Sequence, residues 1–176
     1  EFYRDRNKLY FKKFFSYPQT YKRVKQDICE AYEINPKVKI TIFKSGLIVY
    51  DNYRPKHFNV LLLTMHAGEF VPKDIEEHFA ITAQDRYKEE DVLSDKLYRR
   101  IVLEQGGIWI DNKMSRFFVD LNRARENCIY KDGEQVEKLY SKPLTEAKRK
   151  RLLSYYDSFY VLLQHILTTY NFNLVF

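Results

Sequence analysis

His66 and Glu69 stand three residues apart directly after an apolar run, Asn59-Val60-Leu61-Leu62-Leu63-Thr64-Met65. An imidazole and a carboxylate at that spacing can be folded by one turn onto the same metal ion, and Gly68 between them lets backbone approach a ligand closely. A histidine and an acid with open positions suit zinc (Zn2+), which polarises a carbonyl and lowers the pKa of bound water to about 7. A histidine at a strand exit can equally be a core imidazole hydrogen-bonded to backbone, and an H-x-x-E pair alone does not choose between the two. A second polar cluster, Arg116, Asp120, Asn122 and Arg123, lies within residues 115–123. Arginine beside an asparagine amide is a good receptor for a substrate carboxylate, through bidentate charge-assisted hydrogen bonds. The same residues can instead form ion pairs at a strand end, Asp120 with Arg116 or with Arg123.

The elements that must carry these groups follow from periodicity. The apolar run ahead of His66 reads as a strand covered on both faces of an α/β sheet, and in such sheets ligands bind beyond the carboxyl ends of the strands. Residues 37–43 alternate polar and apolar, Lys44-Ser45-Gly46 supplies turn chemistry, and 47–50 resume the apolar run, which predicts a β-hairpin. Helices are predicted at about 21–32 ahead of Pro36, at 74–79, at 90–105, and from Thr145 to about Tyr170. In the third of these, Val92, Leu93, Leu97, Tyr98, Ile101 and Val102 recur at helical spacing, and Gly106-Gly107 ends it in the left-handed conformation. A short strand at 108–110, turns at Asp111-Asn112 and 131–134, and a strand starting at Asn173 complete the pattern. Strands alternating with helices predict an α/β domain with a mixed sheet flanked by helices.

Composition bounds what such a chain can be. At 176 residues, with 45% hydrophobic and 16% aromatic residues, it fits one domain with a substantial core. No window approaches the roughly 20 apolar residues of a membrane helix, and the charged start Glu1-Phe2-Tyr3-Arg4-Asp5-Arg6 lacks a signal-peptide layout, so the expectation is a cytoplasmic protein with no membrane partner. Cys29 and Cys128 form no C-x-x-C pair and read as ordinary thiols. A net charge of +6 raises the question of nucleic acid. Basic residues are interleaved with acids, however, and the one dense run, Lys148-Arg149-Lys150-Arg151, falls in a helical pattern as a solvated face, so no nucleic-acid partner is expected. The aromatic and basic stretch 8–33, with Tyr10, Phe11, Phe14 and Phe15, reads as an elaboration packed on the main body.

Three segments together resemble the N-formylglutamate amidohydrolase (N-formylglutamate deformylase) family: Met65-His66-Ala67-Gly68-Glu69-Phe70-Val71-Pro72, Asp91-Val92-Leu93-Ser94-Asp95-Lys96-Leu97-Tyr98, and Ser115-Arg116-Phe117-Phe118-Val119-Asp120-Leu121-Asn122-Arg123. The last is the longest ordered match, to the family's S-R-[YF]-x-[VI]-D-L-N-R. The resemblance implies a fold like that of the zinc carboxypeptidases and aspartoacylase-type deacylases (phosphorylase/hydrolase-like), in a single domain over 1–176 with 1–57 as N-terminal elaboration and 58–176 as a family-like core truncated at its C-terminus. It implies His66 and Glu69 as zinc ligands with Asp91 as rival for the second position, Asn122 and Arg123 as the clamp on a substrate carboxylate, and Arg116 as the group polarising the scissile carbonyl. Met65 replaces the family's proline, Tyr160 stands at a family histidine with His165 a turn further on as bystander, and the third ligand and general base would lie beyond Phe176. The implied activity is zinc-dependent cleavage of the C–N amide bond of a small carboxylated N-formyl or N-acyl amino acid. Two alternatives stay open: a zinc carboxypeptidase acting on peptides, and a non-catalytic binding domain using Tyr10 to Lys25. Oligomeric state is not legible.

Overall fold

The computed structural model describes residues 18–43, 45–91 and 93–176, in two compact units. One takes in the described part of 1–64 with Asp95–Asp111 and Phe172–Phe176; the other comprises Met65–Ser94 and Asn112–Asn171. Tyr10, Phe11, Phe14 and Phe15 of the expected N-terminal elaboration lie outside the described residues.

The first unit holds a five-stranded mixed sheet of order β1-β2-β4-β3-β5. Its strands are β1 (Lys39–Ile42), β2 (Leu47–Asn52), β3 (Val60–Thr64), β4 (Gly107–Asn112) and β5 (Leu174–Val175). The predicted hairpin is present, β1 antiparallel to β2, while β3 runs parallel to both β4 and β5. Helix α1 (Pro18–Ile34) buries Val24, Asp27 and Ala31, one face at helical spacing, and Val24 and Ala31 join the core with Ile48, Tyr50, Leu62 and Trp109. Tyr50 and Trp109 stack at 4.1 Å, and the Trp109 indole donates to Thr64 Oγ1 at 2.9 Å, so the largest buried ring has its one polar atom satisfied.

The helix expected over 90–105 is built differently. Helix α3 (Ala83–Glu89), with Thr82 and Asp85 forming a capping box, precedes it; after a break comes α4 (Ser94–Arg100), then a π-helical turn, Ile101–Gln105. The expected apolar stripe is exposed at Leu93, Leu97, Tyr98 and Ile101, and the side chains buried on α4 are Asp95 and Arg99. Charge pairing with α1 explains the inversion. Arg23 meets Asp95 at 3.2 Å, and Arg99 meets Asp27 at 3.2 Å and also Glu30. Side-chain amides also bond the carbonyls of the π turn: Asn52 donates to Val102 and Leu103 O at 2.8 and 3.0 Å and Asn35 to Leu103 O at 3.1 Å, while Val102 O accepts from the Gly106 N–H at 3.1 Å as well. Gly106 ends the turn at φ 135°, ψ 158°, an extended glycine-only conformation rather than the left-handed helical one.

In the second unit, α2 (Lys73–Glu76) meets α5 (Glu146–Thr169) through Asp74, which pairs with Arg151 and accepts from Lys148 through its carbonyl, and Arg86 of α3 pairs with Glu76; Thr145 caps α5 by accepting from the Lys148 N–H. The residues following β3 and β4 in the chain remain paired there through parallel bridges, Gly68 with Ser115 and Phe70 with Met114. A Cβ on Gly68 would stand 2.2 Å from the Lys113 carbonyl carbon, so only glycine allows this approach. Asp111-Asn112, expected as a turn, belongs to β4. The buried Asn112 amide donates to Met65 O at 2.7 Å and Met114 O at 3.0 Å while its oxygen accepts from Tyr155 of α5 at 2.5 Å. Among the described residues no helix is long and apolar enough to cross a membrane.

Candidate active site

The second unit gathers His66, Asp91, Arg116, Asp120 and Arg123 into one cluster. Asn112 fixes the Met65 carbonyl and so delivers His66. Ser115 delivers the region of Asp91: its hydroxyl donates to the Glu90 carboxylate and accepts from the Phe117 N–H at 3.1 Å. Burial pushes Glu90 up from the ordinary carboxylate range; the Ser115 bond and Arg86 oppose this, and the charge of Glu69 adds to it. Helix α5 anchors the turn that carries the clamp residues, Tyr160 donating to Leu121 O and Tyr156 to Arg123 O, each at 2.8 Å.

Asp120 is the hub. Its Oδ1 faces His66 Nε2 at 2.7 Å and accepts from the Asn122 N–H at 2.9 Å; its Oδ2 accepts from the Tyr130 hydroxyl and from Arg116 Nη2 at 3.3 Å, with Arg123 Nε at 3.8 Å. Burial acts to raise its pKa, but the hydrogen bonds from His66 and Tyr130 outweigh it and hold this carboxyl well below the usual carboxylate range. The ion pairs that sequence offered as a structural role for Asp120 are thus present, and so is a contact to His66 that sequence did not suggest.

An ionised Asp120 can only accept, so His66 Nε2 carries a proton, and the neutral tautomer that this contact selects presents a lone pair at Nδ1. That nitrogen lies 3.3 Å from Asp91 Oδ2. Two acceptors so placed call for a cation between them, a proton or a metal. The spacing fits zinc: donors about 2.0 Å from a tetrahedral ion stand about 3.3 Å apart. A carboxylate on the second ring nitrogen is also the usual support of a metal-binding histidine. His66 thus meets two carboxylates, that of the buried Asp120 through Nε2 and that of Asp91, 61% exposed, through Nδ1; the charge of Glu69 reaches Glu90.

Arg116 donates from Nε and Nη2 to the Tyr130 hydroxyl at 3.0 and 2.8 Å, and its Nη1 lies 3.7 Å from Asp91. Burial alone would lower its pKa; the bonds to Tyr130 and the charge of Asp120 raise it, so the guanidinium is fixed and charged. Arg123 sits 4.2 Å over the Tyr130 ring and pairs with Glu134 at 3.2 Å. Asn122 is exposed, and its backbone serves Asp120. His165 is exposed on α5. Sequence reasoning missed Asn112, Glu90 and Tyr130. Asn112 and Glu90 resembled a turn and a helix start, and Tyr130 carried no signal.

A second acidic group lies in the first unit, where oxygens of the buried Asp27, Asp95 and Asp111 come within 4.8 Å of one another. Arg99 and Arg23 pair with the first two, and Asp111 accepts from Thr64 Oγ1 at 3.0 Å.

The sequence model of the N-formylglutamate amidohydrolase family matches residues 58–173. Among solved structures, the chain is similar to a crystal structure of N-formylglutamate amidohydrolase from Ralstonia eutropha JMP134, with a TM-score of 0.59 and 18% identity over 70% of this chain and 51% of that one. The chain therefore spans about half the length of that protein, and the likeness is one of fold. No curated protein matches it.

Proposed function

The chain belongs to the N-formylglutamate amidohydrolase family, and from that premise we propose that the protein hydrolyses the C–N amide bond of a small carboxylated N-formyl or N-acyl amino acid, with zinc held by His66 and Asp91. The observation that carries this reading is the His66 ring, held by Asp120 through Nε2 at 2.7 Å and facing Asp91 through Nδ1 at 3.3 Å. That geometry favours Asp91 over Glu69 as the second ligand. Zinc supplies Lewis acidity that activates water and polarises a carbonyl near neutral pH. Arg116, its position set by Tyr130 and Asp120, turns Nη1 toward the same region and is suited to stabilise negative charge developing on the amide oxygen. Arg123 and the exposed Asn122 amide are suited to hold the substrate carboxylate, in exchange for the pairing of Arg123 with Glu134.

Metal content and turnover test the reading together. After zinc loading, the full-length wild-type protein should retain about one zinc per chain, His66→Ala and Asp91→Ala should lose it, and Glu69→Ala should keep it. N-formyl-L-glutamate should be hydrolysed, and Arg123→Ala should raise KM for it far more than for its amide-capped analogue. A wild type that takes up no zinc, or an Arg123→Ala effect equal on both compounds, counts against the assignment.

A further inference from the structure

We infer that Tyr130 is a positioning residue with two separable parts: its hydroxyl aims Arg116 at the reacting carbonyl, and its ring aims Arg123 at the substrate carboxylate. The inference rests on the amidohydrolase reading and deepens it. Tyr130 is 1% exposed, and the 3-10 turn Arg125–Asn127 returns the chain so that the ring comes to lie beneath both arginines. The Asp120 N–H donates to Cys128 O at 2.8 Å, tying this return to the hub.

A phenol offers one donor and two acceptor sites, and here all three are used. The hydroxyl donates to Asp120 Oδ2 and accepts from Arg116 Nε and Nη2. Two bonds from one edge of a planar guanidinium to a single oxygen fix its plane. With Nη2 also on Asp120, the edge left over is Nη1, whose nearest carboxylate, Asp91, is beyond hydrogen-bond reach at 3.7 Å. Nη1 is thus the donor available to a developing oxyanion. The ring acts on the other arginine, with the Arg123 guanidinium carbon 4.2 Å from its centroid. A cation over an aromatic face is held without consuming its N–H donors, so a substrate carboxylate can replace Glu134 on Arg123 while the ring contact stays in place.

Phenylalanine and leucine at this position separate the two parts. Tyr130→Phe keeps the ring and should lower kcat for N-formyl-L-glutamate by about ten- to a hundredfold while KM stays near the wild-type value. Tyr130→Leu should add a rise in KM of about tenfold and narrow the preference for the carboxylated substrate over its amide-capped analogue. A Phe variant whose KM rises as much as its kcat falls, or one indistinguishable from wild type, overturns the inference. If the Leu variant does not fold, the split in the Phe variant decides. Calorimetric titration with N-formyl-L-glutamate separates this inference from the reading beneath it. A wild type that neither binds nor turns over the compound removes both. A wild type that binds it, with an unchanged Kd in a folded Tyr130→Leu, removes this one alone.

Discussion

At the scale of single residues, Asp120 does most to organise the site, because one carboxylate serves His66, Tyr130, Arg116 and the Asn122 N–H at once. A group so surrounded is expensive to remove. Asp120→Asn should destabilise the metal-free protein by about 3–5 kcal/mol at pH 7, the usual cost of breaking a buried charged pair. The pH dependence has a definite sign. The folded-state pKa lies below the unfolded value of about 3.9, so the contribution is fully present above that value and declines as pH falls toward the folded one. Urea unfolding between pH 3 and 7 should show a constant gap between wild type and variant above about pH 5, closing by about 1.4 kcal/mol per unit below pH 4. A gap that stays constant down to pH 3 would mean that Asp120 is not the ionised hub described.

At the scale of elements, the site depends on close approach of two segments rather than on either alone. Gly68 pairs with Ser115, and an added Cβ would meet Lys113 O at 2.5 Å and Asn112 O at 2.6 Å, all of it backbone. Backbone cannot rotate out of the way as a side chain can. Gly68→Ala should therefore lower stability by about 1–3 kcal/mol or more, and in the folded fraction it should weaken zinc retention, because the shift displaces His66 two residues away. An unchanged urea midpoint would show that the bridge is looser than this. Helix α4 shows the limit of periodicity as a guide. Leu97 is 72% exposed while Asp95 is fully buried, because α1 brings Arg23, Asp27 and Glu30 to the charged face of α4. Those partners lie about seventy residues away in the chain, beyond any local window.

At the scale of the whole molecule, the net charge of +6 is the property most open to misreading. Many of its basic groups are committed to acids, including Arg23, Arg86, Arg99, Arg116, Arg123, Arg125 and Arg151. The dense run on α5 is itself half engaged. Lys148 donates to Asp74 O at 2.6 Å and meets His78 Nε2 at 2.7 Å, while Arg151 pairs with Asp74. Fluorescence anisotropy with a labelled single-stranded oligonucleotide at 0.15 M salt should therefore show no binding tighter than the non-specific range of about 10⁻⁴–10⁻⁶ M. Tighter binding that falls steeply with salt would bring back the reading as a nucleic-acid module.

Local pattern was enough for the hairpin, the buried strand before His66, the long helix begun at Thr145 and the family likeness, since each rests on periodicity, a cap or an ordered motif within a short window. The same pattern brought His66, Glu69, Arg116, Asn122 and Arg123 forward as candidates by residue type and spacing, and the family resemblance added Asp91 as rival to Glu69. It could not say which carboxylates face His66, because Asp120 at 2.7 Å and Asp91 at 3.3 Å are brought there by folding from well along the chain. Nor could it single out Tyr130 or Asn112, whose importance lies in hydrogen bonds to residues well separated along the chain. The sequence by itself determined which chemical groups are available and the elements that carry them. Tertiary structure alone decided their pairing, because a hydrogen bond or an ion pair depends on distance and direction in space, and folding sets both through contacts that no local stretch of sequence contains.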